Sequence, residues 1–157
     1  ALFLIGSVLF LGFSFNLLII ARNYDLYRII YLLLLSTMTD TFALITGKLV
    51  GKHKLVPKIS PNKTIEGLLG GVIMGTFIAS SFYHVFINPT ISLVMIILIT
   101  TALSIVGQIG DLVFSMIKRY YNKKDFSNLI PGHGGILDRF DSIIFIALAF
   151  ILVADIL

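Results

Sequence analysis

Four of the seven aspartates in this mostly apolar chain have the spacing that chemistry needs. Asp40 lies inside one hydrophobic run, Asp111 inside or at the end of another, and Asp138 and Asp141 open a third. Asp138 and Asp141 stand three residues apart and share one face of a helix, as do Asp111, Ser115 and Lys118 at i, i+4 and i+7. An acid inside a membrane span costs roughly 2.5–3.5 kcal/mol on insertion scales and is a functional-site hypothesis by default. Carboxylates suit a hard cation such as Mg²⁺, held by one or two of them while water and substrate phosphates complete the shell. Lysine and arginine beside such a site suit polyphosphate. The bland reading of Asp138–Arg139–Asp141 is a solvated helix start, because acids favour helix N-termini. It is weaker for Asp40 and Asp111, where water is scarcer. Asp155, at the far end of the last apolar run, reads as interfacial.

The elements that must position these acids follow from composition. Of 157 residues, 57% are hydrophobic and 13% charged, against about 25% charged in soluble domains. The apolar residues come in blocks: Leu2–Ala21, Ile29–Gly47, Leu68–Ile87, Ile91–Gly107 (running on to Phe114) and Ile143–Leu157. About 20 apolar residues span a bilayer core as a helix. The expectation is an all-α polytopic membrane protein, residues 1–157 forming a single transmembrane domain of about five helices. Leu2–Ala21 lacks the basic n-region and cleavage pattern of a signal peptide. The absence of cysteine excludes disulfides.

The cations set the expected orientation. Lys48, Lys52, Lys54, Lys58 and Lys63 fall in one long loop, and Lys118, Arg119, Lys123, Lys124 and Arg139 in another. Five helices put both loops on one side, against only Arg22 and Arg28 on the other. Ten cations against two predict two basic cytoplasmic loops, at the level of the four aspartates. Topology alone, or anionic lipid, explains the sign of the loops, but not the acids among them.

Within the first loop, Ser60–Pro61 reads as a helix start, and an N-terminus flanked by Lys58 and Lys63 would be an anion site. Gly67, Gly71 and Gly75 recur every four residues, a spacing that lets another backbone approach closely. His53 has no evident partner, and His84 reads as interfacial. The turn Pro131–Gly132–His133–Gly134–Gly135 could line a phosphate with its amides. No Walker A or GxSxG motif is present.

The run "SMIKRYYNKKDFSNLIPGHGGILDRFD", residues 115–141, resembles the signature of the phosphatidate cytidylyltransferases, also called CDP-diacylglycerol synthases. The matching positions are Ser115, Lys118–Arg119, Lys124–Asp125, Ser127, Ile130–Pro131, His133–Gly134–Gly135, Asp138–Arg139 and Asp141. The stretch "TDTFALITGKLVGKHKLVPKISPNKTIEG" and "GQIGDL" at 107–112 resemble the family's preceding segments, so the likeness runs over about residues 37–145. One departure is Phe114, where family members often carry an acid. Family members are also usually longer, and this chain is similar to their C-terminal, catalytic portion.

The resemblance implies transfer of the cytidylyl group of CTP to phosphatidate, giving CDP-diacylglycerol and pyrophosphate in phospholipid synthesis. It implies Mg²⁺ bound by Asp111 and Asp138, with Asp141 and Asp40 next, and leaves open a second cation. Lys118, Arg119 and Arg139 would face nucleotide or lipid phosphates, with Ser115 and Lys124 beside them. Lys58 and Lys63 would capture a phosphate, and His133, Gly134 and Gly135 would close on the nucleotide. The site would face the cytoplasm from a bacterial inner membrane. No nucleic-acid partner is implied, and a homodimer is left open. Two other readings stand beside this one: a CTP-dependent polyprenol- or phytol-type lipid kinase, and a transporter with Asp40 and Asp111 as relay groups.

Overall fold

The computed structural model describes residues 2–123, 125–126 and 137–154. It contains five helices: α1 (Leu2–Tyr24), α2 (Leu26–Val50), α3 (Ile65–Phe86), α4 (Leu93–Tyr120) and α5 (Leu137–Val153). A two-stranded antiparallel hairpin, β1 (Lys54–Val56) and β2 (Ser60–Thr64), joins α2 to α3. The protein is thus a helical membrane protein, with one small sheet among the described residues. Helices α2, α3 and α4, of 25, 22 and 28 residues, are long and apolar enough to cross a bilayer. At 1.5 Å per residue even the 22-residue α3 reaches about 33 Å. The 17-residue α5 is shorter.

The exterior is apolar and the interior partly polar. Leu49, Ile73, Phe77, Val94, Leu98 and Leu152 are exposed, whereas Thr39, Thr100, Ser104 and Gln108 are buried. Water would invert that distribution. In lipid, oily outward faces cost nothing and buried hydroxyls hold helices together. Tyr31 of α2 hydrogen-bonds Thr100 of α4 (2.8 Å), and Thr39 bonds Ser104 one layer on (2.9 Å). Tyr31 also packs edge-on against Tyr83 of α3 and tilts against Phe150 of α5. Helices α2 and α4 therefore run in one direction, and α3 and α5 in the other. At the end where α2 begins and α5 finishes, Arg28 donates to the Ala154 carbonyl (3.4 Å) and Tyr27 stacks on Phe86.

The start of α3 departs from expectation. Ser60 and Pro61 lie in β2, and the helix cap is Thr64, whose hydroxyl accepts from the Gly67 amide (3.1 Å). Strand pairing wins because groups beyond the local sequence complete it. The Ile65 amide donates to the His53 carbonyl (2.9 Å). The Glu66 carboxylate accepts the Lys52 and His53 amides and meets the His53 ring at 2.6 Å. His53 thus has a partner, Glu66. The anion site expected at a helix N-terminus between Lys58 and Lys63 does not form: Lys58 is exposed in the hairpin turn and Lys63 sits on the strand.

Close helix contact explains the spaced glycines. A β-carbon at Gly71 would lie 2.8 Å from the Ala43 side chain and press on the Thr39 carbonyl, and one at Gly67 would meet the Ala43 carbonyl at 2.6 Å. Gly107 and Gly110 of α4 do the same for Ile146 and Phe145 of α5. Gly71→Leu is expected to destabilise the bundle by about 3 kcal/mol, the upper range for overpacking. Gly12→Ala, at a position with nothing within 4 Å, should leave the unfolding midpoint in detergent unchanged or raised. Equal midpoints for the two variants would contradict the close α2–α3 contact.

Candidate active site

The four aspartates converge at the hairpin end of the bundle. Asp40 comes from α2, Asp111 from α4, and Asp138 and Asp141 from the first turns of α5. Asp40, Asp111 and Asp141 are near enough to repel one another through space. Cations that enter such a cluster relieve that repulsion.

Two lysines do. Lys63, projecting from β2, pairs with Asp111. Lys118, seven residues after Asp111 on α4, pairs with Asp138 at 2.8 Å and approaches Asp141 at 3.9 Å. The second group is nearly dry: the Lys118 and Asp138 side chains are 10% and 7% exposed. Further hydrogen bonds orient the acids. Asp138 accepts the Phe126 amide (2.9 Å), Asp111 the Ser115 hydroxyl (3.3 Å), and Asp40 the Ser142 hydroxyl (3.2 Å). Asp141 accepts the neighbouring Ser142 amide at 2.9 Å. The Lys118 ammonium also lies 5.3 Å from the centre of the Phe126 ring, within cation–π range.

The expected residues divide into three groups. Asp40, Asp111, Ser115, Lys118, Asp138 and Asp141 are brought together, with Lys63 added from the hairpin. Lys58 is exposed in the turn, and Arg119 turns elsewhere. Arg119 donates to the Ile59 carbonyl (3.0 Å) and the Lys123 carbonyl (2.9 Å), fastening the hairpin to the end of α4. That helix closes on Asn122 in the left-handed region (φ 54°), a conformation asparagine tolerates. Lys124, His133, Gly134 and Gly135 lie outside the described residues, as does the Arg139 side chain.

Phe114, standing where an acid was to be considered, is 5% exposed and packs edge-on against Phe126 and Phe145. It belongs to the packing behind the site. Ser142 and Gln108 were not anticipated. Gln108 lies three residues before Asp111, and that spacing was the available signal.

Among the described residues no three acidic or histidine side chains form a ready-made metal cage. The donor set is nevertheless all carboxylate and hydroxyl oxygen, which fits Mg²⁺. That ion commonly takes only one or two protein carboxylates and leaves its other positions to water and phosphate. A cavity of about 160 Å³ adjoins the cluster and is lined by Asp40 and Lys63, with Asn62, Thr64 and Gln108.

A model of the cytidylyltransferase family matches residues 1–157. The phosphatidate cytidylyltransferase of Staphylococcus saprophyticus is 45% identical over 146 residues, covering 93% of the chain and 56% of that protein. That of Staphylococcus haemolyticus is 46% identical over 146 residues, with the same coverage of each. The Bacillus subtilis protein of that name is 44% identical over 147 residues, 92% of the chain and 54% of that protein. The chain spans about half the length of the curated relatives it matches.

Lys118→Met would leave Asp138 and Asp141 facing each other without their shared cation. Breaking a buried pair from one side costs about 3–5 kcal/mol, so the thermal midpoint in detergent should fall sharply. Adding Asp138→Asn to Lys118→Met should recover part of the loss. A Lys118→Met protein as stable as the parent would show that the pair is not a buried ionic contact.

Proposed function

The chain belongs to the cytidylyltransferase family, and from that premise we propose that it carries the catalytic centre of a phosphatidate cytidylyltransferase. CTP and phosphatidate would be its substrates, and CDP-diacylglycerol and pyrophosphate its products. The observation that carries this reading is the lysine-neutralised cluster of Asp40, Asp111, Asp138 and Asp141 at one end of an apolar helix bundle. A lipid substrate arrives within the bilayer and a nucleotide from water, and a site at the end of membrane-spanning helices serves both. The cations of the flanking loops favour the cytoplasmic face, and the bacterial relatives favour an inner membrane.

An oxygen of the phosphatidate phosphate attacks the α-phosphorus of CTP. The bond from that phosphorus to the bridging oxygen of the β-phosphate breaks, and pyrophosphate departs with the electron pair. The nucleophile is already anionic near neutral pH, so no side chain need remove a proton. What the protein must supply is alignment of two polyanions and stabilisation of charge on the leaving group. Lys63 and Lys118 are fixed cations for that task. Ser115 and Ser142 hold Asp111 and Asp40 in orientation. Mg²⁺, bound by Asp111 with Asp138, Asp141 or Asp40, would supply charge neutralisation on the phosphates. The Gly-rich sequence around His133, with Lys124 and Arg139, would complete the nucleotide side.

The test is the full-length protein in detergent micelles with labelled CTP and phosphatidate, with and without Mg²⁺. CDP-lipid and pyrophosphate are expected, in a Mg²⁺-dependent reaction. Asp111→Asn should lower kcat by about 100-fold, the scale of losing one electrostatic element of a phosphoryl-transfer site. Lipid monophosphate with CDP as co-product would overturn the reading in favour of a lipid kinase.

A further inference from the structure

Gln108 has a buried amide that the proposed reaction leaves unexplained. It is 3% exposed, and its Nε2 has no hydrogen-bond partner among the described residues. Native proteins keep few such groups, and each calls for an explanation. Gln108 lines the cavity of about 160 Å³ beside the carboxylate cluster, together with Asp40, Asn62 and Lys63 and apolar walls that include Leu44 and Leu55. It lies on α4 one turn deeper into the bundle than Asp111.

We propose that this cavity receives the nucleobase of the nucleotide substrate and that the Gln108 amide donates to its acceptor edge. The proposal rests on the cytidylyltransferase reading of the site and adds the origin of base selectivity. The lining disfavours phosphate. Its ammonium group, Lys63, lies at the edge toward Asp111 and the carboxylate cluster, and Asp40 lines the same space. A neutral ligand with acceptors on one edge and a donor beside them suits it better. Cytosine has that pattern: O2 and N3 accept, and the exocyclic amine donates to a carboxylate, as it does to Asp and Glu in nucleic-acid recognition. Uracil would turn a carbonyl toward Asp40. Pockets for whole ligands run from about 300 Å³ upward, so this cavity takes one ring and leaves ribose and phosphates outside. Lys63 both lines the cavity and pairs with Asp111, so a base held here delivers its phosphates to the carboxylate cluster.

The experiment measures kcat and KM for CTP and UTP, and KM for phosphatidate, in the full-length protein and in Gln108→Leu and Gln108→Glu. Loss of one buried hydrogen bond should raise KM for CTP about tenfold, narrow the preference for CTP over UTP, and leave KM for phosphatidate unchanged. An unchanged CTP:UTP ratio, or a rise in KM for phosphatidate alone, overturns the proposal. Should the variants fail to fold, thermal protection of the wild-type protein by cytidine, uridine and inorganic tripolyphosphate decides. Protection by cytidine above uridine supports the base site, and protection by tripolyphosphate alone overturns it. A wild-type protein that forms CDP-lipid without base preference refutes this inference only. One that binds cytidine but forms no CDP-lipid refutes the reaction and leaves the cavity assignment standing.

Discussion

An ammonium group held between two carboxylates, almost out of reach of water, is the constraint on which this bundle depends. Lys118 sits 2.8 Å from Asp138 and 3.9 Å from Asp141. Two charges withdrawn from water lose solvation worth several kcal/mol each, and only close, well-oriented partners return it. The end of α4 must therefore meet the first turns of α5 within hydrogen-bond distance. Gly107 and Gly110 make that approach possible, because a side chain at either would strike Ile146 or Phe145. The backbone amide of Phe126 then takes the remaining Asp138 oxygen. The chemistry of the site and the packing of α4 on α5 are one requirement seen from two sides.

The same logic extends along α2. In lipid no hydrophobic force draws helices together, so buried polar pairs and close backbone contact must fix their register. Tyr31–Thr100, Thr39–Ser104 and Asp40–Ser142 form successive polar contacts from the bundle interior toward the hairpin end. On its other flank α2 lies directly against Gly67, Gly71 and Gly75 of α3. A shift of α2 along its axis would break all of these contacts at once. Asp40 is thereby placed by groups well removed from it.

The hydrophobic runs made the helices legible, and the four-residue glycine spacing made the α2–α3 contact legible. The helix ends were less so. The apolar run Ile91–Gly107 reads on only to Phe114, yet α4 continues to Tyr120, because Gln108 is buried and Asp111 is paired with Lys63, so the polar residues do not end the helix. The hairpin was hidden because its stabilising partners are distant in sequence: Glu66 with His53, and Arg119 with Ile59. Ser60–Pro61 satisfies local rules for a helix start, and those rules know nothing of the strand opposite. The level at which the acids gather could be read from the alternation of spans. Which lysine meets which acid could not, since Lys58 and Lys63 are alike in sequence and only strand register separates them.

Placing Lys63 on a strand changes the electrostatics of the site. A helix N-terminus would have offered a diffuse partial positive charge to an arriving anion. A hairpin held by Glu66 at its base and by Arg119 at its turn instead delivers a whole ammonium group to Asp111. Among the described side chains of the cluster, four carboxylates then face two ammonium groups, leaving two formal negative charges at the end of an apolar bundle. In the proposed reaction a divalent cation would balance that excess, and a bare polyphosphate would deepen it. The metal ion and the nucleotide would then enter together, and Lys63 and Lys118 would meet the phosphates.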